Sequence, residues 1–316
     1  MTGGPLYLDC DTGIDDALAL AHLVAAGADL VGVGSVSGNL AASGGARNTL
    51  DLLAMLGRAD VPVAVGAHDP IGGAFHGGAA FVHGENGIGG VRLPRAGEPV
   101  AEHAADLLVR LAHEHPGELR ILAVGPLTNL ALALEREPAL PSLIREVVVM
   151  GGAALAPGNI SAVAEANIGN DPLAAHAVFE AAWPVTMVGL DVTMRARFEE
   201  SHRRSLAEAT GAVPRALAAM LDVYFAYYTP VLGRPSCALH DPLAAAIATG
   251  HVEPLLAPVV PVEVDATDGP GRGQTLVDLR SRWVGYPPLP GTRHRVVLEV
   301  PEGFGDLLLE TLLLLP

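Results

Sequence analysis

Short β-branched or apolar runs alternate along the chain with longer Ala/Leu-rich segments, the pattern of βα units feeding a largely parallel sheet. Leu6–Leu8 reads as a first strand, followed by a helix from about Asp15 to Ala26. Leu30–Ser35 reads as the second strand and Ala41–Leu56 as the second helix. Val61–Val65, Arg120–Ala123, Glu146–Met150 and Val185–Leu190 are further strands. They do not alternate polar with apolar, so both faces of the sheet should be covered. Helices are expected around Ala101–His113, Thr128–Arg136 and Pro172–Ala181. No internal repeat and no linker-like stretch interrupts this pattern. The expectation is a single α/β domain spanning residues 1–316, a largely parallel doubly wound sheet flanked by helices. Its active site should lie at the carboxyl ends of the strands, where the connecting loops gather.

Composition narrows the chemistry. Half of the 316 residues are hydrophobic, enough for a substantial core. With 19 basic against 35 acidic residues the net charge is −16, which repels nucleic acid and anionic membranes. All 19 basic residues are arginines. The lack of lysine excludes Schiff-base chemistry, a P-loop and a lysine phosphate clamp. Two cysteines, Cys10 and Cys237, are too few for a disulfide scaffold or a thiolate metal site. Met1–Leu8 lacks the basic and apolar regions of a secretory signal. The most apolar stretch, Leu307–Leu315, is broken by Glu310 and too short to span a bilayer. A soluble, cytoplasmic protein is expected.

The first strand runs into Asp9-Cys10-Asp11-Thr12-Gly13-Ile14-Asp15-Asp16. Four carboxylates so close repel one another unless a cation or shared protons offset them. Oxygen ligands without a Cys/His spacing suit Ca²⁺ or Mg²⁺. A structural explanation competes: Asp11 or Thr12 could cap the next helix, with Asp15 and Asp16 complementing its dipole. Capping leaves Asp9 and Asp11, at the end of an apolar strand, without a purpose. The same residues also resemble the haloacid-dehalogenase phosphatases, with Asp9 as nucleophile and Asp11 as acid/base. Those enzymes normally use a downstream lysine, which this chain lacks.

Four further loops carry unusual polar content: Val36-Ser37-Gly38-Asn39; Val124-Gly125-Pro126-Leu127-Thr128-Asn129; Met150-Gly151-Gly152 leading to Gly158-Asn159 and Ala164-Glu165-Ala166-Asn167; and Leu239-His240-Asp241-Pro242. Taken singly, each has an ordinary explanation as a turn, a cap or a helix start. Together, in order and approximate spacing from Asp9 to Asp241, they resemble the inosine-uridine-preferring nucleoside hydrolase family. The Thr275–Asp278 stretch after Arg272-Gly273 extends the likeness.

That resemblance implies hydrolysis of the N-glycosidic bond of ribonucleosides to ribose and free base. It implies Asp11, Asp16 and Asp241 as side-chain Ca²⁺ ligands and Thr128 as a backbone-carbonyl ligand. Asp11 would also be the base that activates a calcium-bound water, with Asn39 beside it, and Asp15 would contact the ribose diol. Asn39, Met150, Asn159, Glu165 and Asn167 match the ribose pocket, and His83 and His240 lie near the leaving base, His240 as its proton donor. A homo-oligomer, dimer or tetramer, is implied as well. Two positions depart from the pattern: Thr12 replaces the usual proline, and Ala166 replaces an aromatic, leaving one pocket wall smaller.

Tyr224 and Tyr228 lie four apart, on one helical face. An aromatic stripe there is ordinarily core, yet Tyr228 is placed with the base pocket. Purine-specific members stack the base between tryptophans. Here Trp183 and Trp283 both fall outside the matching segments, so a pyrimidine-accepting or broad hydrolase is expected. A non-catalytic nucleoside- or ribose-binding protein is the remaining alternative, although binding alone needs no general base.

Overall fold

The computed structural model describes residues 3–316; Met1 and Thr2, part of the Met1–Leu8 stretch read above for a secretory signal, lie outside them. Its strands are β1 (Leu6–Cys10), β2 (Leu30–Ser35), β3 (Val63–Val65), β4 (Leu119–Ala123), β5 (Ile144–Met150), β6 (Val185–Val188), β7 (Arg197–Glu199), β8 (Ser236–Ala238), β9 (Val262–Val264), β10 (Thr275–Val277) and β11 (Arg295–Val296). Between and around them run α1 (Ile14–Ala25), α2 (Ala42–Met55), α3 (Ala80–His83), α4 (Ala104–Glu114), α5 (Thr128–Arg136), α6 (Leu140–Leu143) and α7 (Ala166–Asn170). The helices continue with α8 (Pro172–Glu180), α9 (Leu190–Thr193), α10 (Glu200–Ala207), α11 (Ala212–Leu232), α12 (His240–Ala248) and α13 (Phe304–Leu312).

Seven strands form one sheet in the order β11-β6-β5-β4-β1-β2-β3, every neighbouring pair parallel. The unbroken apolar runs are explained by two cores. Leu6, Leu8 and Cys10 of β1 face one, built largely on α1, α2, α11, α12 and α13. Tyr7 faces the other, with α4, α5 and α8. Side chains that alternate between two apolar layers show no polar alternation in sequence.

The chain winds outward from β1 through β2 to β3, then returns to place β4 on the other side of β1. The crevice beyond the carboxyl ends of β1 and β4 is therefore the topological switch point, where ligands bind in such sheets. The expected elements occur within a few residues of their predicted bounds, with two informative differences. The strand at Val185 stops at Val188 because Gly189 begins the single turn α9. The strand expected from Val61 starts at Val63, since Pro62 has no N–H to contribute to a ladder.

Helix α1 packs lengthwise on α12. The two carry buried alanines, among them Ala17, Ala19 and Ala21 on α1 and Ala244, Ala245 and Ala248 on α12. Small side chains let helix axes approach closely. Both helices start at the carboxyl edge of the sheet, and that shared edge is what assembles the site. Among the described residues no helix is long and apolar enough to cross a membrane. The apolar tail forms α13 and buries Phe304, Leu308 and Leu312.

Candidate active site

Asp11 follows β1 directly, and Asp15 and Asp16 lie in the first turn of α1. Asp241 occupies the first turn of α12. All four are buried. Asp15, Asp16 and Asp241 each place an oxygen within 4.8 Å of the others. Asp11 stands beside this trio with both oxygens turned to Asn39: Oδ2 accepts from Asn39 N at 2.6 Å and Oδ1 from Asn39 Nδ2 at 3.2 Å. Asp16 knits the loop together, accepting from Asp11 N at 3.1 Å and from Gly13 N at 2.8 Å. Glycine is required twice here. A side chain at Gly38 would strike the Asp11 carboxylate, and one at Gly13 would meet His83 Nδ1 at 2.6 Å.

Burial followed by the charge of Asp16 pushes the Asp11 carboxyl well above its ordinary range. Burial and the neighbouring acids do the same to Asp241, and Asp16 rises to about 7. Asp15 Oδ2 accepts from Tyr224 Oη at 2.9 Å, while its buried Oδ1 has no hydrogen-bond partner. The nearest basic group is His83 Nδ1, 3.9 Å from that oxygen. It accepts from Ile14 N at 3.0 Å, and burial lowers its pKa, so the ring is neutral and brings no charge. Buried acids, an orphaned carboxylate oxygen and no balancing cation are the conditions a hard divalent ion relieves. His83 Nδ1 is taken by Ile14 N, and His240 bonds Thr193 Oγ1 through Nδ1 at 2.8 Å and Tyr228 Oη through Nε2 at 2.7 Å. The side chains that converge are all carboxylates, whose hard oxygens fit calcium or magnesium.

Thr12, where a proline was expected, holds its loop by hydrogen bonding, with its hydroxyl 2.6 Å from that of Thr49 on α2. The β1–β4 crevice closes on the other side with Gly125, where a Cβ would stand 3.2 Å from Asp11 N and Oδ1. Asn167 Nδ2 donates to Val124 O at 2.9 Å and Met150 O at 3.0 Å, fastening the ends of β4 and β5. Glu165 caps α7 and accepts from the backbone N–H groups of Gly152, Asn167 and Ile168 at 2.9–3.1 Å. Even so, burial leaves its pKa raised. Met150 and Glu165 are buried; Asn159 sits exposed on the connecting segment, with no side-chain bond to these residues. Thr275 on β10 bonds Ala153 twice through its hydroxyl, at 2.8 and 2.9 Å.

Sequence reasoning ranked Tyr224 as core, and the structure makes it the donor to Asp15. It also passed over Asp191, which accepts from the N–H groups of Ala154, Leu155 and Ala156, and Thr193, the partner of His240. Both sit on α9, immediately beyond the carboxyl end of β6, so a search of every post-strand loop finds them. Trp183 is wholly buried and Trp283 lies exposed on the 280–284 turn, 84% accessible. The aromatics near His240 are instead Tyr228, Tyr227 against it at 5.0 Å between ring centres, and Phe81 against Tyr227 at 5.9 Å.

Comparison with known proteins agrees with this geometry. Residues 6–300 match the family model described as inosine-uridine preferring nucleoside hydrolase. The chain is 36% identical over 294 residues to uridine nucleosidase 1 of Arabidopsis thaliana, covering 90% of this chain and 87% of that one. It is 36% identical over 316 residues to the pyrimidine-specific ribonucleoside hydrolase RihA of Enterobacter sp. (strain 638), covering 98% and 97%. The solved purine-preferring ribonucleoside hydrolase from Gardnerella vaginalis superposes with a TM-score of 0.89 at 32% identity over 98% of both chains. With the carboxylates gathered at the switch point of an all-parallel sheet and the match running nearly end to end, the chain belongs to the inosine-uridine preferring nucleoside hydrolase family.

Proposed function

We propose that this ribonucleoside hydrolase is calcium-dependent and accepts pyrimidine nucleosides at least as well as purine ones. The observation that carries the metal reading is the approach of Asp15, Asp16 and Asp241 to within 4.8 Å in a buried, oxygen-only environment. Asp11, Asp16, Asp241 and the backbone carbonyl of Thr128 would hold the ion, with Asp15 directed to the ribose diol. Bound calcium supplies Lewis acidity, making water more acidic and attracting the oxygens of a vicinal diol.

The remaining chemistry falls to the chain. Asp11 takes a proton from the attacking water, and Asn39 fixes both of its oxygens in the required direction. Glu165, held by backbone N–H groups, and Asn167 shape the ribose pocket together with Met150; Asn159 closes it from the exposed segment. A site built to bond sugar hydroxyls rejects a sugar lacking one, so ribose is favoured over deoxyribose. At the other end His83, Tyr228 and His240 face the base, and His240 donates a hydrogen bond to it as it leaves, once the substrate displaces the Tyr228 hydroxyl from Nε2.

Pyrimidine acceptance is supported by the uridine and pyrimidine nucleosidases among the relatives and by the lack of a tryptophan at the site. The same reading takes residues 1–316 as one domain, because a single sheet draws strands from Leu6 to Val296. A phosphatase mechanism is disfavoured because Asp9, its required nucleophile, is wholly buried and bonded to Tyr7 Oη and Asn129 Nδ2.

The test is release of free ribose from uridine, cytidine and inosine, with and without a chelator. Uridine or cytidine should be cleaved at least as fast as inosine, and activity should vanish on exhaustive chelation and return with calcium. A metal-stripped sample turning over at the original rate would remove calcium from the mechanism. Strict purine specificity would remove the pocket argument.

A further inference from the structure

Thr12 lies between Asp11 and Gly13, where β1 turns into α1, and it is buried. On either side of it the turn is tied to the site itself: Asp16 accepts from Asp11 N and Gly13 N, and Asn39 bonds the Asp11 carboxylate. Such bonds hold the site residues to one another and leave their place against the scaffold open. Two neighbouring side chains of α2 fix it. Asn48 Nδ2 donates to Thr12 O at 3.2 Å, and Thr49 Oγ1 lies 2.6 Å from Thr12 Oγ1. The direction of the second bond follows from its surroundings. Thr49 Oγ1 is 2.9 Å from Gly45 O, which can only accept, so the Thr49 proton goes there and Thr12 donates to Thr49. Helix α2 also passes close behind the turn: a Cβ at Gly45 would stand 3.5 Å from Asp11 C and Thr12 N.

We infer that Thr49 is a positioning residue for the hydrolysis, registering Asp11 against α2 through the Thr12 hydroxyl. Thr12 is one peptide from Asp11, so freedom at Thr12 passes directly to the base. Displacing a catalytic group by about 1 Å can cost about a hundredfold in rate. The ribose pocket is fastened elsewhere, where Asn167 joins the ends of β4 and β5, so turnover and not binding should register a change at Thr49. The inference rests on the reading of Asp11 as base given above.

A purely structural role for the hydroxyl pair would cost stability and leave turnover alone. Thr49→Val strands the buried Thr12 hydroxyl without its acceptor, whereas Thr12→Val/Thr49→Val removes both groups and relieves that loss. The kcat and KM for uridine are measured at saturating calcium for wild type, Thr49→Val, Thr49→Ser, the double variant and Asp11→Asn, with the melting temperature of each. Thr49→Val should lose about tenfold or more in kcat, with KM within about twofold of wild type. Thr49→Ser should keep wild-type turnover. The double variant should melt near wild type yet stay slow, and it carries the test alone should Thr49→Val fail to fold. Wild-type kcat in Thr49→Val, equal losses in the Val and Ser variants, a loss confined to KM, or a double variant whose kcat recovers with its melting temperature would each overturn the inference. Near-normal turnover in Asp11→Asn would overturn the base reading and this inference with it. An inactive Asp11→Asn beside a fully active Thr49→Val overturns only the role of Thr49.

Discussion

Replacing Asp241 by Asn should have opposite effects on stability with and without calcium. Asp15, Asp16 and Asp241 bring oxygens within 4.8 Å of one another. Each ionised pair at that distance repels by about 3–4 kcal/mol at an effective dielectric constant near 20. Three pairs come to about 10 kcal/mol, comparable to the whole stability of a typical domain. Without a cation the protein escapes by taking up a proton, which at pH 7.5 costs about 5 kcal/mol for an ordinary aspartate. That figure caps the part of the penalty that the Asp241 charge brings. Asp241→Asn removes two of the three repulsions, so the calcium-free variant should be more stable than calcium-free wild type by up to about 5 kcal/mol.

Calcium at a thousand times its Kd adds about 4 kcal/mol to wild type. Unfolding 316 residues involves an entropy of about 0.7 kcal/mol/K, so the shift in Tm is about 6 °C. The variant, short of one ligand charge, should gain far less. Thermal melts in chelator and in saturating calcium should therefore cross, with the variant higher in the first and wild type higher in the second. Equal calcium increments in both proteins, or a variant less stable in both conditions, would show that the carboxylates share no cation.

Asp11→Asn should cut turnover by several powers of ten, since it removes a ligand charge and the proton acceptor together; a near-normal rate would move the base to Asp15. His240→Ala should slow uridine far more than an activated arylriboside, whose leaving group needs no help, and equal losses on both would end its role at the base. His22 lies wholly buried on α1 with both ring nitrogens unpaired, and burial, then the nearby His251, lowers its pKa from 6.5 to about 4. The unfolded chain thus binds a proton below pH 6.5 that the folded one refuses until about pH 4, so stability is full above 6.5 and is lost as pH falls through that window. The loss amounts to about 3 kcal/mol. His22→Leu, followed by denaturant melts from pH 7.5 to 4.5, should flatten this part of the slope; an unchanged slope would rule His22 out as its source.

How much was legible follows from how far each signal travels along the chain. The strands beside the switch point were readable because they are short, apolar on both faces and bounded by polar loops; the Asp11, Asp15 and Asp16 cluster was readable because it is local. Asp241 was readable only through its place in the family's order of motifs, since nothing near it says that α12 will pack on α1. Residues that act by orienting others were nearly silent. Asp171 before Pro172 is an ordinary helix start, and nothing in sequence shows that its second oxygen meets Thr128, 43 residues earlier, at 2.7 Å. Asp191 and Thr193 follow directly on the expected strand, but a single Asp and Thr after an apolar run look like an ordinary helix start, and their bonds to Ala154–Ala156 and His240 come from distant segments. Tyr224 was ambiguous for a different reason: a buried tyrosine beside apolar neighbours has the periodicity of core whether or not its hydroxyl meets an acid. Base preference lies at the far end of this scale, because His83, Tyr228 and His240 come from three helices whose mutual placement depends on α11, 21 residues long and with no strand pattern beside it to mark its position. On the reading proposed here the pocket's chemistry is set by tertiary contacts between residues that each look commonplace in sequence, and uridine against inosine is the comparison that reads it out.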